Sequence, residues 1–398
     1  MDIFSKKLLM VSAGVKIIDF DISSDTSWYI DEKGDLYGCG KGYYGAQGSG
    51  GTDNVKIFTK RASNVKQVSS GSSTTFYVTN DGDLYGCGSG TTGEQGSGGT
   101  DNVLTFTKRA SNVKSVLCTQ GSTLYIATNG DLYLCGENNY GQQGNGTSGS
   151  STFVTTFTKR GSNVKKVAGS AFCNMYLTND GKLYGTGLFG PQGNTSPKYN
   201  TFTQLATDVS DMIAAGSVIW YIKTNGDLYG IGSGSYGNQG SGSESQVTSF
   251  TKRASDVKQV ASSGVTTFYV QNNGNLYGCG RSQVGQQGTS DTSNVTTFTL
   301  RRTGAEKVVC SQTATWYKGT DGNLYGCGSG SWGQQGSGDT NNVTSFTQRA
   351  SNILDMMVPS NEAWYLSSKN ELYGCGYNGN GQQGSGKTNN VLTFTKRK

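Results

Sequence analysis

Residues 84–114 read LYGCGSGTTGEQGSGGTDNVLTFTKRASNVK, and nearly the same words have already appeared from Leu36. With the Tyr of the LYGCG motif as a ruler, the copies fall at Tyr37, Tyr85, Tyr133, Tyr184, Tyr229, Tyr277, Tyr325 and Tyr373. The steps are 48, 48, 51, 45, 48, 48 and 48, so one long step is followed by an equally short one. Self-similarity at such a period is the mark of a repeat architecture in which each unit is one supersecondary element that cannot bury its apolar face alone.

One unit contains four strand signals. VKQVSSG from Val65 alternates, TTFYVTN from Thr74 is rich in β-branched and aromatic residues, DGDLYGCG from Asp81 supplies a turn and a strand, and VLTFTKR from Val103 is the fourth. Joined by Asp-Gly, Asn-Gly and Gly-Ser turns, they predict a small antiparallel sheet. Radial stacking of such sheets leaves only short, protected edges. The expected fold is therefore all-β: a single closed β-propeller of four-stranded antiparallel blades over 1–398, with eight repeats over about 15–398. IFSKK at 3–7 looks like a degenerate TFTKR, so the segment 1–14 is expected to add a strand at ring closure.

Composition agrees. Gly is 61 of 398 residues and Pro 3, which favours turns over helices. The chain has no His, removing the commonest general base and metal ligand. No nucleophile or carboxylate pair stands apart from the repeat, so the expectation is a protein that is not an enzyme and takes no cofactor or metal. The net charge of +6, without any run of five like charges, permits an anionic partner but does not demand one. No apolar run reaches 18 residues and no cleavable signal follows Lys16, so synthesis in the cytoplasm without membrane insertion is expected.

The order Val, Gly, DGDLYGCG, GxxGxQG resembles the regulator of chromosome condensation repeat, a propeller family whose unit typically reads dG-x-LY-x-W-G…G-Q-L-G. Here Cys or another small residue stands where Trp is usual, Gln replaces Leu in GQQG, and the second-strand His is missing. The resemblance implies a propeller. In that family units of this size usually close at seven blades, so seven is the alternative to eight. It also implies nucleotide exchange on a small GTPase. That activity depends there on a wedge-like insertion and chromatin contact on a basic tail, neither of which fits the even spacing here.

Repeated positions separate frame from variation. Tyr29, Tyr77, Tyr125, Tyr176, Tyr221, Tyr269, Tyr317 and Tyr365 recur in the second strand and read as core. Cys39, Cys87, Cys135, Cys279, Cys327 and Cys375 share one place, taken by Thr186 and Ile231 in the other copies. Since neither replacement could ligate a soft metal, these are read as small buried residues rather than a metal ring. Gln47, Gln95, Gln143, Gln192, Gln239, Gln287, Gln335 and Gln383 read as amides that satisfy loop backbone.

One loop position varies inside this fixed frame: Tyr44, Thr92, Tyr140, Phe189, Tyr236, Val284, Trp332 and Asn380. Its aromatic members, Tyr44, Tyr140, Phe189, Tyr236 and Trp332, are the candidate binding residues. The TKR run sets a second candidate, a basic rim of Lys60, Arg61, Lys108, Arg109, Lys159, Arg160, Lys252, Arg253, Arg349, Lys396 and Arg397, with Arg301 and Arg302 in the sixth copy.

The function expected from these features is a non-enzymatic structural or interaction propeller. Abundant Ser, Thr, Asn and Gly in near-identical units point, by composition, to a bacteriophage or phage-like virion protein in its tail or surface. Its partners would be other structural proteins of the assembly and a cell-surface glycan or anionic polymer, without specific nucleic acid. The alternatives are a bacterial protein-binding propeller or a guanine-nucleotide exchange factor-like regulator.

Overall fold

The computed structural model describes residues 16–190 and 197–397. Each repeat folds into one four-stranded antiparallel sheet of consecutive strands, and there are eight such blades, at 17–62, 65–110, 113–161, 164–206, 209–254, 257–302, 305–350 and 353–396. The eight-blade reading holds and the seven-blade alternative falls. Helix is confined, among the described residues, to two single 3-10 turns at Tyr43–Gly45 and Ser235–Gly237. The eighth blade takes all four strands from 353–396; the strand expected at 3–7 lies outside the described residues.

Two-residue turns lead from each outer strand to the innermost strand of the next blade. Their second residue has positive φ: Asn64 (63°), Asn112 (60°), Asn163 (60°), Asp208 (58°), Asp256 (60°), Gly304 (70°) and Asn352 (55°). Asn, Asp and Gly are the residues that enter this region most readily. Hence the recurring Ser-Asn and Ser-Asp punctuation.

The core lies between blades, where a column of aromatic rings runs among aliphatic side chains. Tyr77 stacks on Tyr85 of the adjacent strand at 5.1 Å, and Phe106 of the outer strand meets Tyr77 edge-on at 4.8 Å while also touching Trp28 of the preceding blade at 5.9 Å. The second-strand tyrosines are all buried. Beside six of them an aromatic ring, Trp28 in the first blade, covers the glycine at the middle of the third strand. A Cβ on Gly38 would sit 2.2 Å from the Trp28 ring, so glycine is required there. The third blade shows the converse. Leu124 replaces the aromatic, and its cross-strand partner is Leu134 instead of glycine.

Ring closure uses the same contact at every described junction. After the third strand, each loop reaches forward to the outer strand of the next blade and forms an isolated bridge, as in Ser49 to Thr105, Ser97 to Thr156 and Ser337 to Thr393. Ser385 of the last blade bridges Ile57 of the first in the same way. Innermost strands of neighbouring blades pack side by side around the axis, where Gln67 bonds the backbone of Val116 and Gln259 that of Val308. Lys166–Asp211 and Lys307–Asp355 ion pairs occupy the equivalent place at two other junctions.

Candidate functional site

Among the described residues the long loops between third and outer strands emerge on one face of the disc, and buried amides set their shape. Gln47 donates from Nε2 to the carbonyl of Cys39 at 2.9 Å, and Gln95, Gln143, Gln239, Gln287 and Gln383 repeat the contact with Cys87, Cys135, Ile231, Cys279 and Cys375. Gln335 reaches Ser329 instead. All seven are fully buried. Gln192 lies outside the described residues. A buried carbonyl left without a donor costs about 1–3 kcal/mol, so the clamp fixes where each loop departs.

The cysteines have a role that the sequence did not disclose. Their thiols donate across the blade boundary to loop carbonyls of the preceding blade, Cys87 to Ala46 at 3.5 Å and Cys135 to Glu94 at 3.4 Å. In the fourth blade the Thr186 hydroxyl does the same to Gly141 at 2.8 Å. That explains why Thr is an acceptable replacement. Burial pushes the thiols upward in pKa, so they stay protonated donors and not thiolates. All nine cysteines are free, and no group of residues that could hold a metal occurs among the described residues.

The variable position is governed by the residue two places later. The backbone N–H of Tyr140 donates to Gln142 Oε1 at 2.8 Å and that of Trp332 to Gln334 Oε1 at 2.9 Å; Thr92, Val284 and Asn380 are held likewise by Glu94, Gln286 and Gln382. In the first and fifth blades this residue is Ala46 or Asn238, too short to reach back. Those two loops wind into 3-10 turns, and Tyr44 (φ 58°) and Tyr236 (φ 63°) take the left-handed conformation. A non-glycine residue held there costs on the order of 1 kcal/mol or more.

Four of the five candidate aromatics therefore reach the loop face, each from an alternate blade. Tyr44 lies 3.9 Å from Tyr43, Tyr140 meets Phe172 edge-on at 5.2 Å, Tyr236 faces the Arg281 guanidinium at 5.5 Å, and Trp332 meets Tyr377 at 5.2 Å. Phe189 must be corrected out of this set. It is fully buried, its ring against Gly185 and Tyr199. The fourth blade has the slender Met175 where others carry Trp or Phe, and the following loop is short, so Phe189 turns inward to fill the space.

The rim residues divide in two. Lys60, Lys108, Lys159, Lys252 and Lys396 pair with the turn carboxylates Asp35, Asp83, Asp131, Asp227 and Glu371 at 2.7–2.8 Å. The Lys108 ammonium holds Asp83 below the usual carboxylate range. Arg61, Arg109, Arg160, Arg253, Arg349 and Arg397 turn the other way, with Nε shielded from solvent. Arg397 points an Nη2 at the clamp amide Gln383 at 3.4 Å, and Arg301 reaches Gln287 at 3.1 Å. The five lysines are thus matched by carboxylates, while the arginines are partly withdrawn from solvent and, at Arg301 and Arg397, reach a loop clamp.

Comparisons with known proteins follow this geometry. The pattern described as the regulator of chromosome condensation (RCC1) repeat matches residues 65–94, which is most of the second blade up to its clamp. No curated protein matches the sequence. Among solved structures, human WBSCR16 is similar at 16% identity and TM-score 0.60, covering 92% of this chain and 94% of that one. Yeast RCC1 (Prp20), solved bound to Kap60, is similar at 14% identity and TM-score 0.60 over 86% and 89%. A second structure of Prp20p from Saccharomyces cerevisiae, whose binding to Gsp1p and histones is described with it, gives 14% and 0.59 over 81% and 87%. The repeat matched in the second blade and the likeness of these folds agree with the β-propeller described above, which is similar to the regulator of chromosome condensation type.

Proposed function

We propose that the protein is a non-enzymatic interaction module that engages a macromolecular partner through its loop face. The observation that carries this reading is Trp332: its backbone N–H is held by Gln334 while the residue is left 42% exposed. A rigid, solvent-facing aromatic on a clamped backbone loses little entropy on binding. The surrounding loops are made of Tyr, Ser, Gly and Asn, the mixture that recognition loops favour for combining rigid rings with adaptable hydrogen bonding. A protein partner, as Gsp1p and histones are for Prp20p, suits such a face. An exchange-factor role has less support, because no described blade departs from its neighbours by an inserted wedge.

A place on a bacteriophage or phage-like particle, with host-surface attachment, rests on composition alone, and fractionation of particles from the source organism tests it. For the loop face, the test is hydrogen–deuterium exchange on the full chain with and without a captured partner. Protection confined to the loops at 41–54, 137–153, 233–246 and 329–342 supports the reading. Protection confined to the opposite face, at the Asp-Gly turns, overturns it.

A further inference from the structure

We propose that the junction of the eighth and first blades carries a binding site for a neutral oligosaccharide, walled by Trp332 and Tyr43. This rests on the loop-face reading and gives it a ligand class. Trp332 and Tyr43 are the two aromatic residues among the exposed large apolar side chains, at 42% and 52%. They belong to the seventh and first blades. The loop between them, on the eighth blade, offers Asn380 at the variable position.

The floor is polar and held in place. Asn380 Nδ2 donates to Asp25 Oδ1 at 3.0 Å, and Asn54 Nδ2 donates to Asn380 Oδ1 at 3.3 Å. Asp25 Oδ2 pairs with Lys41 Nζ at 3.0 Å, and that ammonium lies 5.8 Å from the Tyr43 ring centre. Beneath them Gln382 accepts the Asn380 N–H and donates to both Ser24 and the buried Glu362, tying the two blades together. Asn380 and Asn54 each spend one side-chain N–H inside the floor and have a second to offer.

Exposed rings on the loops either side of a loop with fixed amides match a sugar, whose C–H face packs on an aromatic while its hydroxyls take the polar contacts. Charge decides which sugar. Lys41 and Asp25 cancel within the floor, and of the exposed charges that flank it Asp53 offsets one of Lys56 and Lys387, so little net charge is left to draw an acidic polymer. An extended peptide is served less well, because the loops present amides, hydroxyls and an ion pair between the rings and no free strand edge.

The chain supplies its own reporter, since Trp28, Trp220, Trp316 and Trp364 are buried and Trp332 is the exposed tryptophan. The full protein would be screened on an array of neutral glycans and titrated with maltohexaose, cellohexaose, laminarihexaose and chitohexaose while tryptophan emission is followed. The expected result is saturable quenching or a blue shift with at least one of these, absent in Trp332→Phe. Tyr43→Ala and Asn380→Ala should each weaken it by about tenfold or more with an unchanged melting midpoint, whereas Tyr140→Ala and Tyr236→Ala leave it intact. No neutral glycan binding, or binding that survives Tyr43→Ala and Asn380→Ala, overturns the proposal. Selection of peptides that perturb Trp332 where no glycan does overturns it too but leaves the loop-face reading standing. Exchange protection on the opposite face removes both.

Discussion

The Cys39 thiol lies 3.3 Å from the carbonyl oxygen of Gln382, 343 residues away, and makes the first blade's contact with the last. The same donor serves five of the seven internal junctions, where its neighbours are Ala46, Glu94, Asn238, Gln286 and Gln334, while Thr186 and Ile231 stand in its place at the other two. Closure is thus one more copy of a repeated interface.

Substitution of these thiols should follow the pattern that the fourth blade already uses. Cys87→Thr keeps a donor of similar size and is expected to change stability by less than about 1.5 kcal/mol, while Cys87→Leu overpacks a filled boundary and costs about 1–3 kcal/mol. Urea unfolding curves measure both. Thiol titration should find nine reactive groups in the denatured protein and almost none in the folded one, because eight cysteines are buried, Cys310 is half-buried, and burial raises the thiol pKa at all nine.

The pairing of ring and glycine in each blade predicts a compensated double variant. Gly86→Leu alone drives a side chain into Phe76, whose ring lies 2.3 Å from the position a Cβ would take, and should destabilise by several kcal/mol. Adding Phe76→Leu recreates the Leu124–Leu134 pair of the third blade and should recover most of the loss. Thermal melts of the two singles and the double give the coupling; strict additivity would contradict the packing described.

Glu362 makes stability depend on pH. Burial raises its pKa from about 4.5 to about 8, against the opposing hydrogen bonds from Trp364 and Gln382. A carboxyl whose folded-state value is raised favours the native state while protonated in the fold, so its contribution declines as pH climbs from near 4.5 through 8. The total is of order 3–5 kcal/mol at about 1.4 kcal/mol per unit. Glu362→Gln should therefore gain on the native protein progressively between pH 5 and 8.5 in denaturant titrations. Parallel curves for the two proteins would show that Glu362 does not titrate in this range.

Phe189 and Trp332 share a place in the repeat and should respond oppositely to truncation. Phe189→Ser empties a fully buried site and is expected to cost about 3–5 kcal/mol. Trp332→Ser, on the surface, should move the melting midpoint by no more than the equivalent of about 1 kcal/mol, with any loss appearing in binding instead.

What the sequence disclosed was whatever the repeat enforces locally. Strand alternation, Asp-Gly and Ser-Asn turns, the tyrosine column and the clamp glutamines each follow from residues within one unit, and among the described residues each is where it was expected. The cysteine contacts were hidden because their acceptors are backbone carbonyls of a neighbouring unit, which side-chain identity does not reveal. Phe189 was misplaced although two signals existed, Met175 in the aromatic column and a loop shorter by two residues before the glutamine. The matching of rim lysines was also readable. Asp35 precedes Lys60 by 25 residues, as Asp83 precedes Lys108 and Asp227 precedes Lys252.

The forward-reaching loops give the disc a direction, like shingles each overlapping the next. Gly96 of the second blade rests on Phe157 of the third, while the outer strand of the second blade is covered in turn by Ser49 of the first. A protease nick in the loop at 91–101 thus lifts the cover from Phe157 and the strand Val154–Gly161 ahead of it, and leaves Val55–Ala62 behind it untouched. Damage in such a ring travels one way around.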